Sequence, residues 1–167
     1  MDNYIVINGK KAELTEEQLK ALGIEVKKKR NNPFNNKVNI HGYYHYIDPF
    51  SGVLHTCFDD EEVDKIFIND ANSFTDKDFA NQVYLHELLN RKLLKYAWDN
   101  EAEDCEWDKL KSHYYIVFNI EEKRFEVGEN IVCKIANTVF FSSADVAKKA
   151  IEDVIKPFME EHKDFVW

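Results

Sequence analysis

Two stretches of this chain, FTDKDFANQ beginning at Phe74 and FSSADVAKK beginning at Phe141, follow nearly the same grammar and limit the available folds more than any other feature. In each, a phenylalanine precedes a hydroxyl residue, a carboxylate follows three positions after the hydroxyl, and an amphipathic run comes next. Thr75 with Asp78, and Ser142 with Asp145, have the spacing at which a side-chain oxygen caps a helix start. The carboxylate opposes the positive end of the helix dipole. Phe74 and Phe141 then fall where a hydrophobic staple is expected.

Each of these helix starts follows aromatic or β-branched runs. The first set is Tyr43–Ile47, a turn around Ser51-Gly52, Val53–Phe58 and Ile66–Ile68. The second is Tyr114–Ile120, a polar turn at Glu121–Lys123, Phe125–Val127 and Ile131–Phe141. Both sets read as β-meanders running into a helix. The expected class is α+β: an antiparallel sheet built from a duplicated meander-plus-helix unit, with the helices on one face.

A separate N-terminal piece precedes this body. Ile5 and Ile7 alternate up to Asn8-Gly9, a pair suited to a tight hairpin turn. Thr15 and Gln18 then have capping-box spacing, Leu19 and Leu22 give a short helix its apolar face, and Gly23 is the terminator. The expected organisation is a hairpin and helix over 1–26, a basic, asparagine-rich linker over 27–36 and a main domain over 37–167.

The last helix carries Val146, Ala147, Ala150, Ile151, Val154 and Ile155 in one stripe, with Pro157 set to kink or restart it. The longer helix, from about Asp76 to Trp98, carries two stripes. One runs through Phe79, Val83, Leu94 and Ala97, the other through Leu85, Leu89, Leu93 and Tyr96. That is more apolar surface than one sheet contact requires. The excess calls for cover, by the N-terminal arm, by a homodimer or by a partner groove.

Charge narrows the function classes. Of the 167 residues, 31 are Asp or Glu and 22 are Lys or Arg, a net charge of −9. Residues 1–40 hold a basic excess, including Lys27, Lys28, Lys29 and Arg30, and the remainder is strongly acidic. An acidic body repels a phosphate backbone, which leaves the basic tetrad as the one candidate nucleic-acid contact. Without interleaved aromatics it offers no base-stacking platform, so a solvated hinge is the favoured reading.

The opening MDNYIVINGK lacks a signal-peptide pattern and no apolar run reaches the roughly 18 residues of a membrane span, so a soluble, cytoplasmic chain with no membrane contact is expected. Cys57, Cys105 and Cys133 form no CxxC pair. His55-Thr56-Cys57 offers two metal ligands with no second pair beside them, so no metal is expected there.

No catalytic motif stands out. His86-Glu87-Leu88-Leu89-Asn90 opens like a zinc-protease helix but has Asn90 where the second histidine belongs. Glu121-Glu122-Lys123 resembles a nuclease fragment, yet it sits in an expected surface turn. The reading is a non-enzyme without a cofactor.

The least random feature is two acid clusters: Asp59, Asp60, Glu61, Glu62 and Asp64, then Asp99, Glu101, Glu103, Asp104, Glu106 and Asp108. Neither has the alternating order and glycine of a calcium loop. Their carboxylates suit a protein partner with a basic nucleic-acid groove, with Trp98 and Trp107 as apolar anchors.

One resemblance joins these parts. Ile5–Ile24 reads I-x-I-N-G-K…L-T-x-E-Q-L-x-x-L-G-I, Tyr43–Asp48 reads Y-Y-x-x-I-D, and F-[ST]-x-x-x-x-A helix entries start at Phe74 and Phe141. Together they resemble small proteins encoded by phages and prophages of Gram-positive bacteria, some of which are anti-CRISPR inhibitors of Cas9. Val83 departs from the pattern, standing where the entry motif has a second alanine. The resemblance implies an anti-defence protein that blocks the groove of a host nucleic-acid enzyme, Cas9 with guide RNA foremost. The competing expectation is a structural or assembly protein acting through homo-oligomerisation.

Overall fold

The computed structural model describes residues 4–7, 10–23, 32–34, 41–59, 61–100, 108 and 110–167. The chain divides into two units, 1–32 and 33–167. In the first, β1 (Tyr4–Ile7) pairs antiparallel with β2 (Lys10–Glu13), and α1 (Glu16–Ala21) follows. The expected capping box is present: the Thr15 N–H donates to Gln18 Oε1 at 2.9 Å and the Gln18 N–H to Thr15 Oγ1 at 3.3 Å. Gly23 ends the helix at φ 71°, a conformation that costs glycine nothing. The Asn8-Gly9 turn lies outside the described residues.

The second unit is α+β, as expected, and both expected hairpins form, but they do not join. β3 (Tyr43–Asp48) and β4 (Gly52–Cys57) form one hairpin, and β5 (His113–Asn119) and β6 (Arg124–Asn130) another. The two remain separate two-stranded sheets where one continuous sheet was expected.

Phe74 and Phe141 each bridge to the first strand of one hairpin. Phe74 exchanges both backbone hydrogen bonds with His45 of β3 at 2.8 Å, and the Phe141 N–H donates to the Tyr114 carbonyl of β5 at 2.8 Å. Asn72 extends the first seal, its side-chain amide bonding both the N–H and the carbonyl of Ile47. Each phenylalanine therefore pairs at the outer edge of the first strand of its hairpin, the edge not used within the hairpin.

The repeated grammar is thus real in space, but it means something other than a staple. Both phenylalanines are buried and bridge to the first strand of a hairpin. The caps fall one residue later than expected, on Asp76, which accepts from the Phe79 N–H at 3.0 Å, and on Ser143, which accepts from the Val146 N–H at 3.2 Å. Even the hairpin turns match: Asp48 Oδ1 accepts the N–H groups of Phe50 and Ser51, and Asn119 Oδ1 those of Glu121 and Glu122.

Two expected third strands are absent. Ile66–Ile68 lies in a helix, α2 (Glu62–Asn69), started by Glu61 and Asp64; 131–140 is irregular and pairs only where it reaches Phe141. A short β-branched run cannot distinguish strand from helix by periodicity, and here the acidic start decides.

The long helix α3 (Lys77–Asp99) packs on the first hairpin, α4 (Ala144–Ala150) on the second, and the two helices on each other. Between them lies the core: Leu85, Leu89, Leu93 and Ala97 of α3 against Phe141, Ala147, Ala150, Ile151 and Ile155. Each large apolar side chain so buried contributes about 1.5–3 kcal/mol.

The kink expected from Pro157 appears as one π-helical turn, Ile151–Ile155, ahead of α5 (Lys156–Glu161). Proline lacks an N–H and its ring crowds the carbonyl four residues back, which a widened turn relieves. Pro33 and Phe34, within the expected linker, belong to the second unit: the Pro33 carbonyl accepts from the Thr75 N–H at 2.8 Å, and the Phe34 ring lies 5.3 Å from those of Phe74 and Phe79. Among the described residues no helix is long and apolar enough to cross a membrane.

Candidate functional site

The end of the first hairpin and the start of α2 bring together more unusual chemistry than any other described part of the chain. Phe58 points inward and is buried, so its neighbours Cys57 and Asp59 face out on the opposite side. Asp64, counted in the sequence among the surface acids, is instead 3% exposed. Its Oδ2 accepts the N–H groups of Asp59 and Glu61 at 3.1 Å each, and its Oδ1 accepts the Tyr44 hydroxyl at 2.7 Å. A carboxylate at the third helical position can reach back to the cap in this way, and doing so withdraws it from solvent. Asp64 is a brace for the site, out of reach of a partner.

The brace alters its partner's acidity. Burial, followed by the hydrogen bond to Asp64 and that residue's charge, raises the Tyr44 hydroxyl far above its ordinary value. Burial also pushes the Cys57 thiol up, helped by the charge and hydrogen bond of Asp59 and by the charge of Asp64.

The other first-cluster acids, Asp59, Glu61 and Glu62, are exposed; Asp60 lies outside the described residues. Val63 and Ile66, one turn apart on α2, are exposed at 51% and 47% beside them. Tyr43, which pairs with Cys57, is 74% exposed. Exposed carboxylates at 59, 61 and 62 are thus followed along the chain by uncovered apolar side chains at 63 and 66, with exposed Lys65 between the latter two.

The remaining described candidates lie on other elements. Of the second acid cluster, Asp99 ion-pairs with Lys95 at the end of α3, and Asp108 accepts the Leu110 N–H at 2.9 Å. Glu101, Glu103, Asp104, Glu106 and Trp107 lie outside the described residues, as do Lys27, Lys28, Lys29 and Arg30. Glu121 and Lys123 occupy the exposed β5–β6 turn, Lys123 at φ 51°.

His86, Glu87 and Asn90 line a cleft of about 420 Å³ with Leu89, Leu93, Asn137 and Trp167. The His86 ring lies 4.8 Å from Phe165, and Glu87 pairs with Arg91 at 3.9 Å. This face of α3 is occupied by the segment 164–167, which Gln82 clasps by donating to the Asp164 carbonyl and accepting the Val166 N–H. Much of the surplus apolar surface of α3 is therefore used within its own unit. Leu94 and Trp98 remain 46% and 50% exposed.

Sequence reasoning missed that Cys57 has company. His41 stands across the hairpin with its Nδ1 3.5 Å from Asp59 Oδ1, and the donor atoms of His41, Cys57 and Asp59 all lie within 4.8 Å of one another. The available signal was alternation, which places residues 57 and 59 on one face; the contribution of His41 depends on strand register, which the sequence leaves open. No family model matches the chain, and no match was found among curated proteins or solved structures.

Proposed function

We propose that this chain is a non-catalytic binding protein that inhibits a nucleic-acid-processing enzyme by placing an acidic, apolar-studded surface in its basic groove. A guide-RNA-loaded Cas9-type effector is the first target to test. The observation that carries this reading is the stretch 59–66, where exposed Asp59, Glu61 and Glu62 accompany exposed Val63 and Ile66. Carboxylates steer such a surface toward a cationic groove, and the apolar side chains supply the desolvated contacts that hold it there. Burial removes Asp64 from the partner-facing carboxylates.

The experiment is a DNA-cleavage assay with guide-loaded Cas9, titrated with the wild-type chain and with Glu61→Lys/Glu62→Lys at low and raised salt. Inhibition should be stoichiometric, weaken with salt and weaken further in the double variant. Glu160→Lys/Glu161→Lys, on exposed positions of α5, makes the same net-charge change and should leave inhibition intact. Absence of inhibition by the wild type, or equal inhibition by both variants, refutes the reading. Exposed Leu94 and Trp98, neighbours one turn apart on α3, favour a second reading as a self-associating assembly protein. Concentration-dependent mass in light scattering, abolished by Leu94→Glu, would support it.

A further inference from the structure

We propose that His41, Cys57 and Asp59 form a three-ligand binding site for a zinc ion. The three side chains supply an imidazole nitrogen, a sulfur and a carboxylate oxygen. That donor set suits a borderline-soft divalent ion; calcium and magnesium take oxygen ligands.

The geometry is close to what the ion requires. Ligand bonds of zinc length place the donor atoms of a tetrahedral site about 3.3–3.8 Å apart. The His41–Asp59 pair already stands at 3.5 Å, and no donor is more than 4.8 Å from another. Rotation of the exposed His41 and Asp59 side chains closes the remaining gap. Three protein ligands leave a fourth position for water or a small anionic ligand, the arrangement of reactive rather than purely structural zinc sites.

The backbone holds His41 where such a site needs it. Its N–H donates to the Phe58 carbonyl at 2.8 Å while the Phe58 N–H donates to the Gly42 carbonyl at 2.8 Å, so residues 41 and 42 together face Phe58. This is a β-bulge of the type whose first position takes a left-handed conformation and is ordinarily glycine. His41 occupies it at φ 69°. A side chain held in a conformation that glycine would adopt without strain points to a role for that side chain, and bulges re-aim the residues they carry.

Asp59 is fixed from behind, its N–H bonded to the buried Asp64 carboxylate. Asp64 is therefore a positioning residue for the ligand loop. The site shares Asp59 with the proposed inhibitory surface but involves neither Glu61 nor Glu62, and metal binding is read without any partner, so its test does not depend on inhibition.

The test uses the full chain carrying Cys105→Ser and Cys133→Ser, stripped with chelator and titrated with cobalt(II) as a spectroscopic substitute for zinc. The expected result is one equivalent bound, with the intense visible bands of a tetrahedral ion and a near-ultraviolet thiolate-to-cobalt band, all displaced by zinc. Adding Cys57→Ser should abolish the thiolate band. His41→Gly should weaken zinc binding about tenfold or more, at least the cost of losing an outer-shell partner. The same variant should leave the metal-free melting temperature unchanged or higher, because glycine relieves the strained φ. That separates loss of a ligand from loss of the fold. If the serine background does not fold, the wild-type chain is compared with Cys57→Ser alone by the same bands. Weak octahedral cobalt spectra without a thiolate band, a band that survives Cys57→Ser, or wild-type affinity in His41→Gly overturns the proposal.

Discussion

Replacing Tyr44 by phenylalanine removes one oxygen from the interior and should cost far more than a surface change. The Tyr44 side chain is 1% exposed, its acceptor Asp64 is 3% exposed, and the hydroxyl lies 2.7 Å from Oδ1. A buried hydrogen bond to a charged acceptor contributes about 1.5–3 kcal/mol, well above the roughly 1 kcal/mol of a neutral one. The two backbone donors on Oδ2 remain, which keeps the loss near the middle of that range, about 2 kcal/mol. For a chain of this size that lowers Tm by about 4–8 °C.

The effect carries a pH signature. The hydroxyl is held above its ordinary value of 10.0 in the folded chain, so the folded state keeps a proton that the unfolded state releases. Stability from this group is fully present below that ordinary value and is lost as pH rises toward the raised folded value. Tyr44→Phe lacks this dependence, so the gap between wild type and variant should narrow above pH 10. Urea unfolding across that range, with an unchanged slope confirming the two-state comparison, measures both effects. A loss below about 0.5 kcal/mol, or a gap that stays constant through alkaline pH, refutes the account of Asp64 as a buried, tyrosine-bonded brace.

Asp76→Ala and Ser143→Ala should each lower stability by about 1 kcal/mol and add in the double variant, measured by urea unfolding. Thr75→Ala and Ser142→Ala should lose less at their helix starts, because the caps sit one residue later. Phe74→Ala and Phe141→Ala should each cost about 3–5 kcal/mol, and hydrogen exchange should show increased opening of β3 in the first and β5 in the second. The Ser73 hydroxyl is buried with no hydrogen-bond partner among the described residues, so Ser73→Ala should raise stability by about 1 kcal/mol in thermal melts.

The candidate site was half legible. The acids Asp59, Glu61 and Glu62 and their exposure followed from composition, and alternation was the available signal that puts Cys57 and Asp59 on one face. Nothing local marks Asp64 as different from its acidic neighbours. Its burial depends on Tyr44 arriving from β3, and the company of His41 depends on the bulge opposite Phe58. Both are contacts between segments distant in sequence.

By itself, the sequence determined what local physics controls. The Thr15–Gln18 box, four of the strands in the second unit, the long helix and the interruption at Pro157 were all legible from caps, alternation, helical period and proline sterics. So was the repeated helix entry. Only the tertiary structure decided what that repeat does. Phe74 and Phe141 could equally staple a helix or seal a strand, because an apolar side chain before a cap satisfies either arrangement. The choice rests on backbone hydrogen bonds to His45 and Tyr114, partners that no local pattern names.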